Sequence, residues 1–269
     1  MSLTIGPGPL STQPAGQTNY AIDGPPHRLL FEPYPRRIRA EVDGVTVLDT
    51  VDGHLLHESN YTPKLYVPIG DLDSERFERT DHSTHCPFKG DASYWSLRVG
   101  DRVVENALWA YEEPVAATPW LEGFACLDAK AADRWLKENE ENLGHLRDPY
   151  HRVDVRTSSR RVRVRAHGEL VAESERPRLL FETGFPVRAY LPPEDVAARL
   201  TPSKKTSVCP YKGIASYRSL EVGGTTIADA VWLYEQPLAE SHAIEGLLCF
   251  GGEGIEVELE PAARGAVAA

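Results

Sequence analysis

The sequence predicts a mainly β protein built from two homologous, compact antiparallel β domains in tandem, with few short helices. Three observations support this prediction: the second half of the chain repeats the first, apolar and polar residues alternate with a period of two, and turn-forming dipeptides separate the short apolar runs. The 269-residue chain is long enough to give each copy its own core. We expect a first repeat domain at residues 28–142, a linker at 143–159 and a second repeat domain at 160–260.

The duplication is clearest around the motif Cys-Pro-aromatic-Lys-Gly, which occurs at residues 86–90 and again at 209–213. The spacing between equivalent positions is nearly constant, since 124 residues separate Tyr66 from Tyr190 and 123 separate Cys86 from Cys209. Between residues 86 and 126, 20 of 41 positions carry the same residue in the second copy. Chance would give only about two or three matches. The chain is therefore a tandem duplication, and we expect an internal pseudo-dimer with approximate two-fold symmetry.

Composition and charge limit the classes of function. A hydrophobic content of 41% and a charged content of 26% are typical of a soluble globular protein. The net charge of −11 argues against a nucleic-acid partner, because phosphate neutralisation needs clustered lysines and arginines. No apolar run reaches the roughly 18 residues that a membrane helix needs, and the N-terminus shows no signal-peptide pattern. We therefore expect a cytoplasmic protein with no membrane partner.

Period-two alternation predicts a strand near the start of each copy. In residues 160–166 the apolar side chains of Val162, Val164 and Ala166 share one face, and arginines occupy the other. Residues 37–42 show the same alternation in copy one. We interpret the arginine row as a solvated strand face, with an anion site as the alternative. The turns between such strands are predicted at Asp43-Gly44, Gly100-Asp101, His167-Gly168 and Gly223-Gly224.

Residues 107–111 and 230–234 are apolar on both faces, which predicts a central strand covered from two sides; Pro114 and Pro237 end it. Residues 194–200 are predicted to form one short helix. Residues 128–142 have a helical composition, but their counterpart at 255–260 alternates like a strand, so we favour a final strand in both copies. Residues 1–27, rich in glycine and proline, are expected to form an irregular arm, and the chain from Pro261 onward a frayed tail.

The four cysteines fall two per copy, each pair 40 residues apart. Three interpretations compete: reduced buried thiols, one reactive and one structural thiol per copy, or a disulfide or metal site. The chain has no Cys-x-x-Cys, and no histidines recur at matching positions beside the cysteines. We therefore expect no tightly bound structural metal and no cofactor. Copy one alone places imidazoles before its motif, at His82 and His85, which we interpret as surface histidines.

The motif combines a thiol, a fixed φ, a stacking surface, a cation and a glycine within five residues. One interpretation is a tight turn with a core cysteine and a solvated lysine; the other is a loop that presents reactive groups. A lysine present in both copies suggests a partner for its ammonium, either a ligand anion or the carboxylate of Glu112 or Glu235. The catalytic candidates are Cys86, Lys89, Tyr94, Glu112, Cys209, Lys212, Tyr217 and Glu235.

Other recurring polar and aromatic residues are the ligand-binding candidates. They are Glu58, Tyr66, Trp109, Tyr111, Glu182, Tyr190, Trp232 and Tyr234. If Leu97 and Val99 face the core, Tyr94 and Ser96 face the opposite side of the strand. A further difference between the copies, Trp95 against Arg218, is expected to alter the rim of a pocket.

The run Cys-Pro-Tyr/Phe-Lys-Gly-x-Ala-x-Tyr, followed by Trp-x-Tyr-x-x-Pro, resembles the domain-of-unknown-function 427 family. The resemblance covers roughly residues 30–127 and 154–260, as in family members with two copies. It implies a β-rich fold related to the β-tent architecture. It also implies a nucleotidyltransferase activity, the label that this family has carried.

From these observations we expect a protein with one small-molecule pocket per repeat, bounded by the motif loop, Tyr94 or Tyr217, and Glu112 or Glu235. Aromatic walls with lysine, glutamate and tyrosine groups suit a small polar ligand, anionic or nucleotide-like. In an enzyme, the lysine would hold an anionic group, a glutamate or tyrosine would move a proton, and the cysteine would be nucleophile or wall. The alternative is a non-catalytic binding or interaction module in which the motif is structural.

Overall fold

The computed structural model describes residues 3–6, 8–12, 17, 19 and 23–261. The chain divides into two compact units, of which one ends at Asp148 and the other begins at Pro149. Each unit contains one repeat and is mainly β. In the described part of the chain no helix is long and apolar enough to cross a membrane.

Eleven strands form the first repeat. They are β1 (Leu29–Pro33), β2 (Ile38–Val42), β3 (Val45–Thr50), β4 (His54–Glu58), β5 (Lys64–Pro68), β6 (Phe77–Cys86), β7 (Gly90–Val99), β8 (Arg102–Ala110), β9 (Phe124–Leu127), β10 (Arg134–Lys137) and β11 (Glu140–Glu141). Short 3-10 helices lie at Ile69–Asp71, Ser74–Arg76 and Pro119–Leu121.

These strands make two antiparallel sheets, one of seven strands in the order β1-β4-β5-β9-β8-β7-β6 and one of four in the order β11-β10-β2-β3. The main core, which includes Ile38, Val47, Leu97 and Leu108, is built from the facing sides of both sheets. Strand alternation makes this sandwich possible, because every second side chain of β2 is fully buried.

A second apolar cluster covers the other face of the seven-stranded sheet. It contains Leu56, Tyr66, Tyr111 and Cys126, with Tyr94 packed against it. The opposite face of β7, where the sequence placed Tyr94, is therefore a smaller core and not a solvated surface. This cluster carries most of the candidate site residues of the repeat.

The second repeat follows the same plan. Its strands are β12 (Val153–Thr157), β13 (Val162–Ala166), β14 (Glu169–Ser174), β15 (Arg178–Glu182), β16 (Arg188–Leu191), β17 (Arg199–Cys209), β18 (Gly213–Val222), β19 (Thr225–Tyr234), β20 (Leu248–Phe250) and β21 (Ile255–Leu259). The sheet orders are β12-β15-β16-β20-β19-β18-β17 and β14-β13-β21. Short 3-10 helices lie at Pro193–Asp195 and Ala239–Ile244.

Most element predictions are confirmed. The alternating segments form β2 and β13, and the two segments that are apolar on both faces end the central strands β8 and β19. The turn residues Asp43 and Gly44 both have positive φ, 49° and 75°, as two-residue hairpin turns require. The arginine row is a solvated face whose charges pair with neighbouring carboxylates; for example, Arg163 lies 2.9 Å from Glu173.

The short helix predicted at residues 194–200 is wrong. A 3-10 turn at Pro193–Asp195 is followed by an isolated bridge between Val196 and Ala172, and β17 begins at Arg199. Sheet pairing thus overrides the helical composition of this segment.

The final strand favoured at residues 128–142 is confirmed as β10, which pairs with β2, and its counterpart is β21. The predicted arm lies partly within the described residues, where Asn60 donates a backbone hydrogen bond to Thr4. The predicted tail lies outside the described residues, apart from Pro261.

Candidate functional site

The Cys-Pro-aromatic-Lys-Gly motif forms the turn between β6 and β7, and again between β17 and β18. Cys86 pairs with Gly90 across this turn, and the Lys89 amide donates to the Cys86 carbonyl at 3.2 Å. Gly90 has a φ of 106°, and a Cβ there would lie 3.2 Å from the Glu113 carbonyl oxygen. A glycine is needed both for the backbone conformation and for this close approach.

The motif lysine points inward in both repeats. Lys89 and Lys212 expose only 7% and 8% of their surface. The Lys89 ammonium donates to Glu58 Oε2 at 2.5 Å, and that of Lys212 to Glu182 Oε1 at 2.7 Å. The lysines therefore have internal carboxylate partners, but the partners are not the predicted Glu112 and Glu235. They are the glutamates at the ends of β4 and β15.

A histidine completes each ion pair. His27 Nε2 lies 2.8 Å from Glu58 Oε1, and His151 Nε2 lies 3.0 Å from Glu182 Oε1. We call the three side chains of each repeat the clamp: His27, Glu58 and Lys89 in the first repeat, and His151, Glu182 and Lys212 in the second. Each clamp connects the motif turn to the end of β4 or β15, which belongs to the same sheet.

The aromatic residue of the motif covers the clamp histidine. Phe88 stacks on His27 with ring centroids 4.0 Å apart, and Tyr211 packs on His151 at 4.2 Å. Sequence reasoning missed both histidines, although 124 residues separate them, which is the repeat spacing. They were overlooked because one was assigned to the arm, the other to the linker.

The clamp changes the titration of Glu182. Burial, the largest single effect, raises the pKa of this carboxyl, but hydrogen bonds from His151 and Lys212 and the charge of Lys212 outweigh it. The pKa of Glu182 is consequently lowered from 4.5 to about 2. This glutamate is ionised at neutral pH and holds the lysine and the histidine together.

The recurring tyrosines and tryptophans lie beside the clamp. The Trp109 indole donates to the Tyr66 hydroxyl at 3.2 Å, and Trp232 donates to Tyr190 at 3.3 Å. Burial raises the pKa of Tyr66 well above its usual value. The same applies to Tyr111 and Tyr234, so these hydroxyls stay protonated at neutral pH.

All four thiols are free. Cys126 and Cys249 are buried, and burial raises the pKa of Cys249 to about 12. Cys86 and Cys209, in the motif turns, are only partly buried. The cysteines form no disulfide, and reduced buried thiols are found only at Cys126 and Cys249; one reactive and one structural thiol per copy stays an interpretation for the motif cysteines. Among residues 23–261 and the short described segments before them, no three potential ligands cluster to hold a metal.

The predicted site residues do not all come together. Glu112 accepts two hydrogen bonds from the Arg79 guanidinium, at 2.9 and 2.6 Å, and one from Ser93 at 2.6 Å. These bonds, with that of Arg79 the largest effect, lower the pKa of Glu112. Glu235 lies 3.3 Å from Arg218. The two glutamates are thus engaged with arginines of β6 and β18 and not with the clamp.

Comparison with known proteins agrees with this duplicated arrangement. A family model described as Domain of unknown function (DUF427) matches residues 30–138 and again residues 154–261. No curated relative matches the chain. Because the two matched segments together make up well over half of the sequence, the chain belongs to the DUF427 family and carries two tandem copies of its domain.

Proposed function

We propose that this protein is a non-catalytic binding module in which the Cys-Pro-aromatic-Lys-Gly motif is a structural element of each repeat. One observation carries the proposal: in both repeats the lysine ammonium is buried and bound by a glutamate of the same sheet. An ammonium that is already bound by an internal carboxylate is less available to a ligand anion.

The energetics of a buried ion pair support a structural role. An ammonium and a carboxylate removed from water are stable only as a pair, so the loss of one partner leaves an uncompensated charge. The histidine of the clamp binds the same carboxylate as the lysine, at the other oxygen of Glu58 in the first repeat and at the shared Oε1 of Glu182 in the second. The lysine and glutamate charges of each clamp are thus satisfied internally, as a structural role requires.

A second candidate is a small-molecule site at the clamp itself, for an anionic or nucleotide-like ligand, with or without catalysis. It is favoured by the partly buried thiols of Cys86 and Cys209, which stand in the same turns as the lysines. In this candidate, Lys89 would release Glu58 to hold an anion, and the thiol would act as nucleophile or wall. The family label of nucleotidyltransferase belongs to this second candidate.

Replacement of Lys212 by methionine tests the proposal. Methionine keeps most of the apolar stem and removes the charge, so Glu182 is left without its ammonium. We expect a loss of about 3–5 kcal/mol in the free energy of unfolding, measured by urea denaturation. Lys204→Met, at an exposed lysine of β17, is the matched control and should leave the midpoint unchanged. Unchanged stability of Lys212→Met would overturn the structural role.

Alkylation separates the two candidates. If the motif is structural, iodoacetamide should label Cys86 and Cys209 of the folded protein at neutral pH no faster than a simple thiol. Labelling can be followed residue by residue by peptide mass spectrometry, with the buried Cys249 as the internal reference for an inert thiol. Labelling of either motif cysteine faster than a free thiol would indicate an activated nucleophile and favour the second candidate.

A further inference from the structure

Beside its main core the first repeat has a cavity of about 190 Å³ that is partly open to solvent. Its aromatic wall is made by Phe77 and Trp95, its floor includes Ala110 and Ala125, and Glu112 stands at its polar side. All of these residues belong to one repeat, and none of them is part of the clamp.

The cavity exists because two small residues face each other. Ala110 of β8 and Ala125 of β9 are direct neighbours across the ladder. The equivalent residues of the second repeat are Leu233 and Leu248, which are buried in its main core at 8% and 5% exposure. Each leucine adds three carbon atoms to the space that an alanine leaves open. The second repeat therefore carries two larger side chains at the positions where the first repeat has the two alanines of the cavity.

The aromatic wall of the cavity also differs between the two repeats. Trp95 of the first repeat is replaced by Arg218 in the second, and Phe77 by Leu200. The Arg79 guanidinium lies over the Trp95 ring, 5.3 Å from its centroid, and supports the indole. Aromatic side chains offer faces and edges that attract other rings. Only the first repeat combines these rings with open space.

The charges at the rim are already neutralised. Arg79 and Glu112 share two hydrogen bonds, and Ser93 donates a third to the same carboxylate. A charged ligand would have to displace these partners, whereas a neutral ligand would not. The remaining lining is mostly aliphatic. Transfer of an apolar ligand surface from water into the cavity is therefore favourable.

We propose that this cavity is the binding site for a small, flat, neutral aromatic group of the size of benzene or indole. The inference rests on the proposed binding function and gives it a ligand class. Size supports it, since an apolar protein cavity of about 150 Å³ is known to hold benzene, and this one measures about 190 Å³. We expect no such site in the second repeat, because Leu233 and Leu248 stand at the positions of the two alanines.

Fluorine NMR of the full chain tests the proposal with fluorobenzene and 5-fluoroindole as probes. At least one of them should show saturable broadening or a shift in the presence of the wild-type protein. Ala110→Leu, which introduces the residue of the second repeat, should weaken binding at least tenfold. Ala117→Leu, at an exposed alanine of the same repeat, should leave binding unchanged.

Two further measurements keep the test decisive. If Ala110→Leu does not fold, Trp95→Arg provides a second variant with the rim residue of the second repeat, and it should also weaken binding at least tenfold. The anion 4-fluorobenzoate should bind at least tenfold more weakly than fluorobenzene. Absence of saturable binding of both neutral probes, undiminished binding in the folded variants, or equal binding of the anion would each overturn the proposal.

Failure here and failure of the proposed function are distinguishable. Lys212→Met and cysteine alkylation report on the clamp and the motif turns, and none of those residues lines the cavity. If neither neutral probe binds but Lys212→Met is destabilised, the proposed ligand class is wrong and the structural role of the motif stands. Rapid alkylation would remove the non-catalytic assignment, whatever the probes show.

Discussion

The two repeats keep the same clamp and differ at the cavity. The lysine to glutamate distance is 2.5 Å in the first repeat and 2.7 Å in the second, and each clamp has its histidine. By contrast, the pair Ala110 and Ala125 has become Leu233 and Leu248. Each repeat has its own clamp, which is the same in both, whereas the residues that line the cavity differ between the repeats. Differences between the repeats are therefore the better guide to a specialised role.

Among three further changes, the largest effect is expected from shortening a leucine in the main core of the second repeat. Leu248→Ala should lower the free energy of unfolding by about 2–5 kcal/mol, because it removes apolar contacts and leaves a cavity. Urea denaturation followed by far-UV circular dichroism measures it. The reverse change, Ala125→Leu, fills an existing space and should alter stability by only about 1 kcal/mol. Equal losses in both variants would contradict the idea that one repeat is filled and the other open.

Acid should weaken the clamp of the second repeat by a somewhat smaller amount. The pKa of Glu182 is about 2 in the folded protein, against an ordinary 4.5. A depressed carboxyl pKa contributes stability that is present above the ordinary pKa and is lost as the pH falls toward the folded value. The contribution is about 3 kcal/mol, from about 1.4 kcal/mol per pKa unit.

Comparison of wild type with Glu182→Gln isolates this contribution. The difference between their urea midpoints should be largest at neutral pH and should narrow as the pH falls from about 4.5 to about 2. Glu256→Gln, at an exposed glutamate of β21, serves as the control and should follow wild type throughout. A difference that does not change over this range would mean that Glu182 is not held ionised by its clamp.

Changes at the motif glycines should have the smallest effect of the three and should be alike in both repeats. Gly90→Ala and Gly213→Ala place a Cβ at φ near 105°, 3.2 and 3.3 Å from a carbonyl oxygen. Such strain costs about 1–3 kcal/mol. Thermal unfolding checks it, with Gly70→Ala as a control that meets open space. A loss in one repeat only would show that the two turns are not equivalent.

Local pattern was enough to predict most of the fold. The alternation in β2 and β13 and the repeat spacing are properties of neighbouring or equivalent residues, so the sequence displays them directly. The helix expected at 194–200 failed because the pairing of Val196 with Ala172 depends on a strand that lies more than 20 residues away. Composition alone does not contain such a partner.

The candidate site could be predicted only in part, because its contacts also join residues that are distant in the sequence. The motif lysine was expected to pair with a ligand anion or with Glu112 or Glu235, but it pairs with Glu58. Glu58 lies 31 residues earlier in the chain and belongs to β4 of the same sheet. His27 was hidden in a segment of turn-like composition. The facing alanines of β8 and β9 become visible only once the strand register is known, because nothing in either strand alone indicates an opening.

One exchange at the cavity rim has an evolutionary consequence. Across the β6 and β7 pairing, Arg79 stands opposite Trp95, and in the second repeat Pro202 stands opposite Arg218. Both repeats thus keep one guanidinium near the rim glutamate. It comes from β6 in the first repeat and from β18, the equivalent of β7, in the second. An exposed ion pair of this kind contributes only about 0–1 kcal/mol. The guanidinium at the rim can therefore move from one strand to the other with little change in ion-pair energy.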